Sequence, residues 1–113
     1  MIVRKAVGRA VFAEAKMGKT TLLAGEKVFA GLNCFLPGQR HALHTHAGQD
    51  KLYFILQGTG EVTVGDTTDK VEPGDLVMAG SDQPHGISNP GPNKLVVLTV
   101  MAPPPGPAPP RDR

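Results

Sequence analysis

The sequence predicts an all-β domain of the sandwich or barrel type, and three observations carry that prediction. Helical periodicity is poor along the whole chain. Short apolar runs recur, each stopped by glycine or proline. One segment, Glu61-Val62-Thr63-Val64, alternates polar and apolar residues with the period of a half-buried strand. Seven or more short strands separated by turns every ~8–12 residues are the pattern of a closed or two-layered antiparallel architecture.

The elements follow in order. Residues 6–19 are read as a short strand or an irregular arm. Within them Gly18-Lys19-Thr20 matches the end of a phosphate-binding loop, but the first glycine of that pattern would fall on Ala13. No apolar strand precedes it and no helical pattern follows, so a surface turn is expected. Val28 to Leu36 is one apolar run, stopped by Pro37-Gly38. Lys51 to Gln57 is a second, stopped by Gly58. Gly65-Asp66 marks a tight turn after Val64, Pro73-Gly74 opens a strand over Asp75 to Ala79, and Lys94 to Met101 closes the domain. Met78 and Met101 are expected in the core.

The barrel is assigned to residues 1–102. Residues 103–113 carry most of the eleven prolines and are expected to form a proline-rich, disordered tail. A chain of 113 residues is one domain's worth and supports a single core. The lone cysteine, Cys34, cannot form an internal disulfide and reads as a small buried hydrophobe. A net charge of +2 with scattered lysines and arginines leaves no concentrated basic patch, which disfavours nucleic acid as a partner. No segment has the apolar length of a signal peptide or a membrane span. The expected setting is cytoplasmic.

Three of the four histidines, His41, His44 and His46, lie within six residues, and the fourth is His85. On a regular strand, residues two apart share a face. His44 and His46 would then project together with Ala42, and His41 would face away. His85, in Pro84-His85-Gly86, could be brought alongside by a neighbouring strand. Histidine imidazoles are common ligands of transition metals, so His44, His46 and His85 are candidate ligands of one ion.

With these residues the sequence resembles the cupins. Their first motif sets a glycine, five intervening residues, a His-x-His pair, then a glutamate and a further glycine. Gly38, His44, His46 and Gly58 stand at the glycine and histidine positions. Their second motif is represented by Gly74, His85 and Asn89, with Gly80 where proline is usual and Asp82 where glycine is usual. The resemblance covers roughly residues 25–102. It implies a small antiparallel β-barrel of jelly-roll, or double-stranded β-helix, type. It also implies a divalent transition metal (iron, manganese, nickel, copper or zinc) near one mouth, and often a homodimer.

At the position of the family's glutamate ligand this chain has Lys51. A protonated lysine is not a ligand. Three readings stay open. The metal is held by His44, His46 and His85 with water completing the shell. Alternatively Gln49, which shares the parity of Lys51, supplies an amide oxygen. In the third, no metal binds and the pocket holds an anion. In each case the site favours a small anionic or oxygenated organic ligand. Lys51 would neutralise it or act as acid or base in dioxygenase-, isomerase- or decarboxylase-type chemistry. The competing possibility is that the Lys51 ammonium simply reaches water. A non-catalytic small-molecule binder or sensor is the alternative function. Tyr53 and Ile55 should line the interior, with Leu52, Phe54 and Leu56 on the opposite face of the same strand.

Overall fold

Nine strands are formed by residues 1–105, the part of the chain that the computed structural model describes. They are β1 (Gly18–Ala24), β2 (Phe29–Phe35), β3 (Arg40–His44), β4 (Asp50–Gln57), β5 (Gly60–Val64), β6 (Thr67–Val71), β7 (Leu76–Ala79), β8 (His85–Ser88) and β9 (Leu95–Ala102). A five-stranded sheet has the order β1-β2-β9-β4-β7, and a four-stranded sheet the order β3-β8-β5-β6. Every pairing is antiparallel. The chain passes repeatedly from one sheet to the other, so neighbours such as β2 and β9 are distant in sequence. The all-β antiparallel barrel expected from the sequence is therefore the observed fold.

Period-2 alternation determines what lies between the sheets. Tyr53 and Ile55 of β4, Leu95 and Val97 of β9, and Phe35 of β2 point inward and are at most 1% exposed. Val62, Val71 and Ile87 meet them from the other sheet. Burying each such side chain contributes roughly 1.5–3 kcal/mol. The outer face of the five-stranded sheet carries a second cluster, Leu32, Cys34 and Val96. Ala10 and Phe12 of the N-terminal arm pack on it. The arm itself is irregular apart from one 3-10 turn at Ala6–Arg9. Cys34 is fully buried, and burial pushes its thiol pKa up, which fits an inert packing residue.

Two expectations need correction. Gly18-Lys19-Thr20 is the start of β1, paired to Cys34, Asn33 and Leu32, not a surface turn. The missing signal is apolar content: β1 has few hydrophobic residues because its inner face lines a polar cavity. Met78 is 55% exposed rather than in the core, because β7 is an edge strand and position 78 lies on its outer face. The tail expectation for residues 106–113 lies outside the described residues.

The second-motif asparagine has a structural task. Asn89 is 1% exposed, and its amide donates to the carbonyls of Phe35 (3.0 Å) and Asn93 (2.8 Å). Its Oδ1 accepts from the Gly91 N–H at 2.8 Å. Backbone bonds tie the same residue to Gly38 and Gln39. Through side chain and backbone together, one residue thus joins the end of β2, the turn before β3 and the β8–β9 connection. Gly58 closes the same end: its φ of +81° and the Lys94 carbonyl against it leave no room for a side chain. Asn89→Ala leaves the buried Phe35 carbonyl, the part-buried Asn93 carbonyl and the Gly91 N–H without their side-chain partner. It should destabilise the fold by about 1–3 kcal/mol in a denaturant titration. A change below about 0.5 kcal/mol would remove this role from Asn89.

Candidate metal centre

The histidines are positioned by an irregularity in β3. His41 pairs with Ile87, and His44 pairs with His85, so β3 advances three residues where β8 advances two. This is a β-bulge, one extra residue in one strand. Ile87 and His85 both point inward, so their partners His41 and His44 do too. The expectation that His41 faces away is therefore wrong: the bulge resets the parity between positions 41 and 44. The extra backbone is accommodated by Gly86, where a Cβ would lie 2.9 Å from the His41 carbonyl oxygen and 3.0 Å from the Leu43 nitrogen. Leu43 turns outward and is 58% exposed.

His44 and His85 consequently face each other across the β3–β8 ladder, with ring centroids 4.3 Å apart. His46 lies just past the end of β3 rather than on a regular strand, with its ring 4.7 Å from His44 and 5.8 Å from His85. One ring nitrogen from each of the three falls within 4.8 Å of the others.

Backbone carbonyls orient two of these rings. His44 Nδ1 lies 2.7 Å from the Ala42 carbonyl oxygen, and His85 Nδ1 lies 2.9 Å from that of Gln83. A carbonyl only accepts, so each Nδ1 carries the proton and each Nε2 presents a lone pair. Both Nε2 atoms are buried and have no hydrogen-bond partner among the described residues. Metal-ligating histidines are commonly held in this way, by a hydrogen bond from one ring nitrogen that leaves the other free for the ion. Burial lowers the pKa of all three, and the neighbouring cation Lys51 adds to this. Neutral imidazole is the form that binds metal. The three histidines thus form a group that could hold a divalent transition metal.

The centre opens on a cavity of about 780 Å³, within the range of small-molecule sites. Lys51 points into it from β4 and is 3% exposed, so its ammonium does not reach bulk water. Burial, with Lys19 as a second cation, brings its pKa down to about 8. Its Nζ sits 5.1 Å from the Tyr53 ring centroid, a cation–π contact. The Tyr53 hydroxyl is buried without a partner among the described residues, and burial raises its pKa. Asp50 does not pair with Lys51: its Oδ1 accepts from the Ser81 N–H at 3.0 Å. Gln49 lines the cavity, but the turn with Gly48 at φ +70° breaks the strand parity assumed for it. Its Nε2 donates to the Pro103 carbonyl at 2.9 Å. That bond fixes the start of the tail, and Pro103 to Pro105 form part of the cavity wall. Asp82 takes the glycine position of the second motif with φ +68°, a conformation that aspartate tolerates better than most residues.

The residues that bring the centre together also match a known family. Residues 31–101 match the family model described as Cupin domain. This chain belongs to the cupin family.

Among its relatives is an oxalate-binding protein of Thermotoga maritima, 32% identical over 65 residues, which are 58% of this chain and 54% of that protein. The chain spans about half the length of the curated relatives it matches. A crystal structure from Thermus thermophilus superposes with a TM-score of 0.87 at 32% identity, covering 91% of this cupin and 98% of that chain. An uncharacterized double-stranded β-helix protein of Klebsiella pneumoniae superposes with a TM-score of 0.84 at 21% identity, covering 91% of this chain and 90% of the other, and supports the fold. Among the described residues no helix is long and apolar enough to cross a membrane.

The residue that sequence parity misplaced gives a pH prediction for this cupin. Burial, with Lys51, His44, Lys19 and His85 nearby, pushes the His41 pKa from the ordinary 6.5 down to about 3. Between those values only the unfolded chain takes up the proton, so stability is lost as pH falls through this window. The metal-free protein should show a falling thermal midpoint from about pH 7 to about pH 4. His41→Leu should flatten part of that slope; an unchanged slope would show that His41 is not held neutral.

Proposed function

We propose that this cupin is a metal-dependent protein acting on a small anionic, oxygenated organic ligand. Its metal (iron, manganese, nickel, copper or zinc) would be held by His44, His46 and His85. The observation that carries this is the pair of buried, unpartnered Nε2 atoms on His44 and His85, aimed together with His46. Histidine donors with no carboxylate suit this group of metals. When bound, such an ion acts as a Lewis acid toward ligand oxygens, with open positions left by only three protein donors. Gln49 is the candidate fourth donor through Oε1, since its Nε2 is already committed to Pro103.

Lys51 is the candidate catalytic residue. It lies in the same cavity, and burial lowers its pKa to about 8, near the range in which a general acid or base is effective. As ammonium it neutralises an anionic ligand; as amine it accepts a proton from one. Dioxygenase-, isomerase- and decarboxylase-type reactions all make use of such a pairing. The resemblance to an oxalate-binding protein favours a second reading, a binder or sensor that holds its ligand without turning it over. Steady turnover of a metal-bound acid, abolished in Lys51→Met, separates the first reading from the second.

Metal analysis tests the centre directly. Protein purified without a nickel column and reconstituted should hold about one equivalent of transition metal. His44→Ala and His85→Ala should each lose it, and His41→Ala should keep it. Content below about 0.1 equivalent in the reconstituted wild type overturns the assignment. Lys51→Glu should tighten metal binding; no change would place position 51 outside the coordination shell.

We also propose that two copies pair through the outer face of the five-stranded sheet. Leu76 is 66% and Met78 55% exposed there, beside half-buried Leu52, Phe54, Leu98 and Val100. A continuous apolar face of this kind is self-complementary across a two-fold axis. Light scattering should give twice the chain mass, and Leu76→Asp with Met78→Asp should give the monomer. A monomeric wild type ends the proposal.

A further inference from the structure

The cavity beside the histidines has a polar wall that metal binding does not explain. Lys51 is almost fully buried, and no carboxylate among the described residues compensates it: the charged neighbour that acts on it is Lys19, another cation. A buried, uncompensated ammonium is costly unless something anionic meets it. Lys19 reaches the same cavity from β1, on the far side of the five-stranded sheet. The register explains the space between them. Lys19 lies in a row with Asn33. Lys51 lies in a row with Met101 and Phe29. The row between them runs Thr21, Gly31, Thr99. These small side chains, bounded by Tyr53 where the same row reaches β4, leave a hollow with a lysine at either side. Asn33 is 5% exposed and faces that hollow, and His41 Nδ1 is buried at its edge without a partner among the described residues. These are donors, or groups able to donate, gathered around a space with no acidic group among its described lining residues.

We propose that this hollow is a second anion-binding subsite. The ligand is then a small two-headed acid, with one acid group at the His44–His46–His85 centre and a second carboxylate between Lys19 and Lys51. This deepens the function proposed above and rests on it for the first acid group only. Two sites a cavity's width apart select for ligand length and double charge, which a single metal centre does not. Charge-assisted hydrogen bonds from two lysines to a buried carboxylate are strong and lost when either partner is truncated.

The test uses metal-reconstituted full-length protein and calorimetric titration with malonate, succinate and glutarate, each against the monocarboxylate of equal carbon number. At least one dicarboxylate should bind about 10-fold or more tightly than its monocarboxylate partner. Lys51→Met and Lys19→Met should each abolish most of that preference, and Lys19→Met should do so while leaving monocarboxylate affinity within about 3-fold. Lys19 is exposed, so its variant decides the matter if Lys51→Met does not fold. Equal affinity for both acid classes, or a preference unchanged in the lysine variants, overturns the subsite. Metal content measured on the same samples separates the two readings. A lysine-dependent preference without bound metal supports the subsite and removes the metal assignment. Full metal occupancy without lysine dependence does the reverse.

Discussion

The site depends on one extra residue in β3. Without the bulge between His41 and His44, the alternation of an extended strand would put these two residues on opposite faces. With it, His44 stands directly opposite His85 on β8, and the ladder itself brings together two histidines 41 residues apart in sequence. Gly86 makes the bulge possible, since any Cβ at that position would press on the His41 carbonyl. The Ala42 and Gln83 carbonyls then fix the tautomer of each ring. Backbone geometry, not side-chain choice alone, aims the two Nε2 atoms.

That backbone is held by the opposite end of the barrel. Asn89 ties the turn before β3 to the exit of β8, so the two strands carrying the histidines are pinned where they diverge. The hydrophobic core between Phe35, Tyr53, Ile55 and Leu95 fills the middle. Fold stability and site geometry are thus separated along the barrel axis. The closed end is apolar and tied; the open end is polar, with orphaned donors. Such a division lets unsatisfied groups persist near the mouth because the rest of the domain offsets their cost.

Much of this is legible in residue order. Apolar runs bounded by Pro37-Gly38, Gly58 and Pro73-Gly74 locate β2, β4 and β7, since a buried strand must be apolar and its turns must tolerate positive φ. His44, His46 and His85 are legible through their spacing. β1 is not, because Lys19 and Thr21 face a cavity rather than a core and leave no hydrophobic pattern. The inward turn of His41 is not, because a bulge breaks the very alternation used to assign faces. Gln49 reaches the cavity through a turn at Gly48 and not through strand parity, so its place is legible but its route is not. Apart from Met78, on the outer face of the edge strand β7, each miss falls at the polar mouth, where local pattern yields to tertiary geometry.

Lys51 shows how one position can redirect a shared scaffold. Its Cα sits in β4 opposite Ala79 and Met101, pointed at the cavity as any inward residue would be. A glutamate there would bring one negative charge to a bound ion; lysine brings one positive, a difference of two charges at a position that is 3% exposed. In low dielectric that difference is not screened away. A divalent ion held by three neutral imidazoles already carries its full charge, and a buried ammonium beside it raises the local potential further. Under the proposed function such an arrangement favours anionic groups, so lysine in place of glutamate would weaken the metal shell and strengthen selection for a charged ligand. Ligand and metal would, under that same function, support each other: an acid could complete the coordination, and its charge would offset that of the lysine.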